Sequence, residues 1–322
     1  MSTNSSVKSC AQLPKWGINI NQIFTINTLF SKIAVSLAVA IGSFACQNDN
    51  LVNPANPGQV ANQATNNIIP DKLPKYVLIK DGPQTVSYYP DGRLKRVIYG
   101  ADVPGNTNER TDYTYEGTQS VKATAVYNNK TYNEETFTLD AYGRCYQYRE
   151  YVYPDGGVTK QKYVYNSSYT YDNQGRLKTW TSFAPTLTLQ YEYSYTVDGD
   201  LSKVVRYNGD AADEEITFAY KLAEAPALLP DSYPLNAQLN FKWWGLLKDT
   251  YLGVFGTAST HLVKRVIRKN LITNQVEQDN KFTYTMNANG YVSNRTSVDV
   301  LTGVVRDSKA YEYVSADTPP TF

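Results

Sequence analysis

The sequence predicts a mainly-β protein: a large, curved antiparallel meander of about fourteen strands with one short helical or loop insertion. Three observations lead there. First, runs such as YQYREYVY (146–153), QYEYSYTVD (190–198), KFTYTMN (281–287) and AYEYV (310–314) alternate ring-bearing or β-branched residues with polar ones. That period of two is the signature of a strand with one face buried. Second, compact turn signals separate these runs: YPDGR (89–93), YNNK (127–130), YPDGG (153–157), YNGD (207–210), NANG (287–290) and LTG (301–303). Third, connections this short leave no room for crossover helices, which excludes a parallel sheet.

The chain begins with an address rather than a fold. Residues 33–45, IAVSLAVAIGSFA, form a short apolar run directly after Lys32 and directly before Cys46. As a helix this run would span about 20 Å, short of the roughly 30 Å hydrocarbon core of a bilayer. A basic flank, a short apolar stretch and small residues before a break describe a cleaved secretory signal. With cysteine directly after SFA, residues 1–45 resemble a bacterial lipoprotein signal. The resemblance implies cleavage before Cys46, lipidation of Cys46 and attachment to a membrane through that lipid. Residues 46–74 are rich in Asn and Pro and lack hydrophobic periodicity, so they are expected to be a disordered tether with a reach of roughly 25–30 Å.

Composition narrows the function classes. The chain has 31 Lys+Arg against 30 Asp+Glu, with no long basic run, which leaves nothing to grip a nucleic-acid backbone. It holds 28 Tyr against 10 Phe and 2 Met, a choice suited to surfaces that are apolar at one end and polar at the other. Of its 3 cysteines, Cys10 would leave with the signal and Cys46 would be acylated. Cys145 would then stand alone, which rules out a disulfide framework within one mature chain. Inside RCYQY it reads as a small buried side chain.

Residues 75–315 read as a single antiparallel β domain, followed by a tail at 316–322. Its refrain is YDNQGRL (171–177), with looser copies YYPDGRL (88–94), LDAYGRC (139–145), YTVDGDL (195–201) and YTMNANGYV (284–292). Asp172 is placed to cap the amide two residues on, and Gly175 supplies the positive φ that closes a tight loop. The turn aspartates meet no calcium-loop pattern, so their role is structural. Residues 221–260 break the rhythm, lose alternation and gain Leu, Pro and the Trp243–Trp244 pair. A block of short helical turns and loops fits there, packed over a face or edge of the sheet.

YDNQGRL resembles the core of the YD/RHS repeats, although the glycines Gly143, Gly175 and Gly199 are unevenly spaced. A wider likeness covers most of residues 75–315. The lipoprotein signal, the Tyr-rich hairpins, the block LNFKWWGLLKDTYLGVFG and the closing hairpin LVKRVI…FTYTMNANGYVSN together resemble a Bacteroidetes-type lipoprotein family of unknown function with a porin-like fold. The resemblance implies a curved antiparallel sheet at the outer membrane, on its surface or periplasmic face, and it carries over no catalytic residues.

The search for chemistry finds no catalytic set, no metal site and no cofactor site. His261 is the only histidine and begins a strand after GTAST, as a surface or edge residue would. There is no phosphate loop, GxSxG elbow or HExxH. A glycoside hydrolase needs only two carboxylates, so that alternative stays open beside the non-catalytic ones, although no pair stands out among 30 acids. Non-catalytic readings remain. In one, a recognition module takes carbohydrate or an envelope protein on Trp243, Trp244, Tyr163, Tyr165, Tyr193 and Tyr195. In the other, a structural or assembly component of the outer membrane covers its own aromatic face. A membrane-spanning barrel fails on VTKQKYVY (158–165). One row there is Val158, Lys160, Lys162 and Val164, the other Thr159, Gln161, Tyr163 and Tyr165, and neither row suits hydrocarbon.

Overall fold

The computed structural model describes residues 75–100, 109–155, 157, 159, 165–184, 187–233 and 249–317. The signal, Cys46 and the tether lie outside the described residues, as do Tyr163, Trp243 and Trp244.

The chain runs through β1 (Tyr76–Asp81), β2 (Gln84–Tyr88), β3 (Leu94–Tyr99), β4 (Glu109–Glu116) and β5 (Ser120–Tyr127). It continues through β6 (Lys130–Leu139), β7 (Cys145–Val152), β8 (Tyr165–Tyr171), β9 (Leu177–Ala184) and β10 (Leu187–Tyr195). Next come β11 (Leu201–Asn208), β12 (Ala211–Ala219), β13 (Arg265–Asn270), β14 (Gln275–Met286), β15 (Val292–Asp299) and β16 (Val305–Ser315). Each strand pairs antiparallel with its sequence neighbour, and β16 returns onto β1 with Tyr76 opposite Ser315 and Asp81 opposite Tyr311. Among the described residues the sheet is therefore a closed barrel.

The expected antiparallel meander is present, but it closes and has sixteen strands rather than about fourteen. Pattern alone merges short neighbours such as β1 and β2, which are divided only by Gly82 and Pro83, with Gly82 at φ 61°. Closure pairs the outward N–H and C=O groups of both end strands, which an open sheet would leave bare. The insertion also departs from expectation. Its described parts, residues 220–233 and 249–264, contain turns and isolated bridges but no helix. Pro226, Pro230, Gly253 and Gly256 interrupt any helical run there.

Because the strands alternate in direction, one rim collects the turns at 89–93, 117–119, 140–144, 172–176, 196–200 and 287–291 together with the insertion. The described insertion residues enter the barrel at this rim: Leu252, Val254, Phe255 and Val263 join one buried cluster with Phe137, Tyr169, Trp180 and Phe282 of the wall. The outward rows of three strands are polar. Arg110, Asp112, Thr114 and Glu116 form the outward row of β4, Gln190, Glu192 and Ser194 that of β10, and Glu215 and Thr217 lie on that of β12. Cross-strand ion pairs decorate this surface, including Lys122–Glu134 at 2.9 Å and Arg265–Asp279 at 2.6 Å. A lipid-spanning barrel needs strands whose outward row stays apolar over a stretch of about 9–11 residues. None of these three described rows provides one.

Candidate functional site

The repeated phrase is a turn that grips the next turn. Asp172 Oδ1 accepts the amides of Gln174 and Arg176 at 2.9 Å each, and Arg176 Nε donates to Asp172 Oδ2 at 2.8 Å. Gly175 sits at φ 77° and donates its amide back to the Asp172 carbonyl. Asp140 repeats the arrangement with Tyr142 and Arg144, and Asn287 holds the amides of Asn289 and Tyr291 in the same way. After five of these turns the returning strand carries one extra residue: Lys95, Tyr146, Lys178, Ser202 or Ser293. This bulge lets the preceding Leu, Cys or Val face inward while the alternation resumes beyond it.

Tyrosines at the rim ends of several strands are spoken for. Tyr115 donates its hydroxyl to the Leu94 carbonyl at 3.0 Å, Tyr171 to Cys145 at 2.6 Å and Tyr195 to Leu177 at 2.7 Å. The arginine one residue before each of those carbonyls lies over the same ring: Arg93 over Tyr115 at 4.5 Å, Arg144 over Tyr171 at 4.6 Å and Arg176 over Tyr195 at 4.4 Å. Tyr220 and Tyr284 make the same hydroxyl contact to Leu201 and Val263 without an arginine above them. The turns ending at Leu94, Cys145, Leu177 and Leu201 thus each hold a tyrosine at the rim end of a later strand.

The insertion is seated on that rim. Cys145 donates its amide to the Val254 carbonyl at 2.7 Å, and Thr257 donates its amide to Gly175 at 2.9 Å. Asp200, 2% exposed, accepts the amides of Thr260 and His261 on Oδ1 and meets His261 Nδ1 at 2.7 Å on Oδ2. The lone histidine is therefore half-buried, held by a turn carboxylate and bridged to Pro230. Tyr113 donates to Asp249 Oδ2 at 2.5 Å, and burial pushes the Asp249 carboxyl up despite that bond. Cys145 is fully buried, burial raises its thiol pKa strongly, and its Sγ donates to the Gln147 carbonyl.

Inside the wall an aromatic row crosses β8, β9 and β10. Tyr169 stacks on Trp180 at 6.2 Å and Trp180 on Tyr191 at 4.5 Å, with interplanar angles of 11° and 13°. Phe255 of the insertion meets the Tyr169 ring edge-on at 5.2 Å. One strand over, the Tyr148 hydroxyl donates to Glu150 at 2.8 Å and lies 3.1 Å from Glu135. Desolvation raises the Tyr169 and Tyr193 hydroxyl pKa values well above the ordinary tyrosine range, so both stay protonated.

Three of the residues proposed from sequence lie among the described residues. Tyr193 is buried on the inner face, Tyr195 spends its hydroxyl on the Leu177 carbonyl, and Tyr165 is partly exposed at the start of β8. The row Tyr169–Trp180–Tyr191 was not singled out by sequence. Its one signal is a lone tryptophan in the alternating run LKTWTSF (177–183).

No protein-family model matches the chain, and no curated protein matches it. Among solved structures, a porin-like protein from Bacteroides vulgatus aligns with a TM-score of 0.49 at 14% identity, covering 71% of this chain and 92% of that one. A porin-like protein from Bacteroides uniformis aligns with a TM-score of 0.33 at 15% identity, covering 64% of this chain and 89% of that one. A Photorhabdus luminescens Tc holotoxin pore aligns with a TM-score of 0.27 at 16% identity, covering 72% of this chain and 13% of that one.

Proposed function

We propose that this chain is a non-catalytic cell-envelope lipoprotein, anchored to the outer membrane through Cys46, whose water-facing barrel recognises a ligand, carbohydrate ahead of protein. The observation that carries the reading is the inversion of the wall. Charged and hydroxylated residues face outward on β4, β10 and β12, while Tyr113, Tyr191, Tyr193 and Phe218 of the same strands are buried on the inner face. Such a barrel works in water and is held at a membrane by something other than its strands; the signal-like run before Cys46 supplies that anchor.

The anchor is tested by replacing Cys46 with alanine in the full chain. The parent is expected to partition into the detergent phase and the variant into the aqueous phase. A variant that still partitions with detergent removes the lipid from the reading. Recognition is tested by a glycan array and an envelope-protein pull-down with the lipidated chain, where no bound glycan or protein would refute it. A second reading, a structural or assembly component, draws support from the coverage of the inner rings by the chain's own Leu252, Val254 and Phe255. On that reading the array stays blank while deletion of the chain alters envelope integrity.

A further inference from the structure

We infer that the tips of the β13–β14 and β15–β16 hairpins rest in the interface of a lipid bilayer, with the insertion rim turned away from it. This rests on the lipid-anchor reading above and adds an orientation: the barrel itself touches lipid, at one end.

Among the described residues thirteen large apolar side chains are exposed, and ten of them sit at turns or strand ends of the rim opposite the insertion. Six of those ten share two hairpins: Ile272, Val276, Val300, Leu301, Val304 and Val305, between 43% and 78% exposed. The hairpins adjoin because β14 pairs with β15, and Val300 donates its amide to the Asp279 carbonyl at that junction. At the insertion rim the exposed residues are scattered. Tyr142 and Tyr146 belong to one turn and Val197 to another, with the turn at 172–176 between them. Single exposed apolar residues are ordinary on a protein surface, but six on adjoining tips form a patch that marks a contact.

Shape and charge select the partner. The six residues crown two narrow turns, 271–274 and 300–304, and the strand ends beside them. Projecting tips enter a medium that yields around them, as the boundary between headgroups and acyl chains does. Lys269 lies opposite Val276, and Arg306 follows Val305, so their long stems can lie along lipid while the charges stay among headgroups. Across 269–277 and 299–306, Lys269 and Arg306 balance Glu277 and Asp299, and Arg306 pairs with Asp299. The contact is therefore apolar and needs no anionic lipid.

The chain brings a bilayer within reach of this end. β1 starts at the insertion rim with Tyr76, and 29 residues separate it from Cys46. At about 3.4 Å each they extend up to about 100 Å. The longest described strand, β14 with 12 residues, spans about 40 Å. A lipid on Cys46 thus reaches the level of either rim, and the exposed apolar tips decide which one meets it.

The test places a fluorophore on Thr302→Cys or on Val197→Cys in the mature lipidated chain, where buried Cys145 and acylated Cys46 take none. The chain is reconstituted in phosphatidylcholine vesicles carrying a lipid spin-labelled about 5–10 Å deep, where interfacial segments lie. Quenching is expected at position 302 and not at 197, unchanged by salt. Ile272→Ser, Leu301→Ser and Val304→Ser together should abolish it without moving the thermal midpoint, because all three side chains are exposed. Quenching at 197 alone, at both positions equally, at neither, or persisting in the triple variant overturns the orientation. So does a dimer in sedimentation that the triple variant loses, which would give the tips to a second copy. These failures leave the anchor standing as long as Cys46→Ala moves the chain out of the detergent phase; without that shift the anchor reading falls too.

Discussion

The guanidinium of Arg144 lies 4.6 Å from the ring centre of Tyr171, and the hydroxyl of that ring reaches back 2.6 Å to the carbonyl of Cys145, the residue after the arginine. One side chain is gripped by two consecutive residues of the preceding turn. The same pairing joins Arg93 and Leu94 to Tyr115, and Arg176 and Leu177 to Tyr195. The refrain of the sequence is therefore a joint, and its aspartates serve the turn rather than a reaction.

Removing the hydroxyl alone should loosen that joint. Tyr171→Phe deletes the bond to Cys145 and a longer one of 3.3 Å to Val254, leaving part-buried carbonyls without it. A loss of about 1–2 kcal/mol is expected in urea unfolding. Exposed Tyr142→Phe, 68% accessible, is the control and should change stability by less than about 0.5 kcal/mol.

Gly256 is where the insertion passes closest to the rim. A β-carbon there would lie 2.3 Å from the Gly175 carbonyl oxygen and 2.9 Å from the Tyr171 ring, at a φ of 82°. Gly256→Ala is expected to cost about 2–4 kcal/mol through strain and displacement of the insertion. Gly253→Ala, with nothing within 4 Å, should be nearly neutral. Equal effects of the two substitutions in thermal melts would contradict this seating.

Asp200 fastens the other side of the insertion. Asp200→Ala removes the acceptor of the Thr260 and His261 amides and of the His261 ring. A loss of about 2–4 kcal/mol is expected, since buried donors are left behind. Hydrogen exchange should speed first at residues 259–263 rather than uniformly along β10 and β11.

The turn carboxylates set an acid limb. The Arg93 side chain holds Asp91 below the usual carboxylate range. At Asp172 burial pushes upward, but the Arg176 guanidinium and the amides of Arg176 and Gln174 outweigh it, and the net shift is downward. Groups depressed in the folded state contribute stability that is complete above their unfolded pKa of about 3.9 and is lost as pH falls through the lower folded value. Stability should therefore decline below about pH 4, and Asp172→Asn should shrink that decline while lowering stability at neutral pH. An unchanged acid limb in the variant would remove Asp172 from the account.

Cys145 supplies a reporter. Fully buried and with its thiol pKa raised by burial, it should resist a disulfide reagent in the native chain carrying Cys10→Ser and Cys46→Ser, and react once denaturant is added. Rapid reaction without denaturant would show that the rim opens locally.

Much of this molecule was legible in its letters because turns and strands are local. Asp172 and Gly175 lie three residues apart, and their capping bond and positive φ follow from residue type alone. Alternation in QYEYSY fixed that Tyr191 and Tyr193 share one face and Gln190 and Glu192 the other. It could not fix what covers that face, nor that the Tyr195 hydroxyl reaches the Leu177 carbonyl. Two features were decided only by contacts between distant residues. Pairing of Tyr76 with Ser315 closed the barrel, and Val254 meeting Cys145 carried the insertion inside. Those pairings depend on how the edges of the whole sheet are satisfied and on how a sixteen-stranded lumen is filled, quantities that no short window of sequence contains.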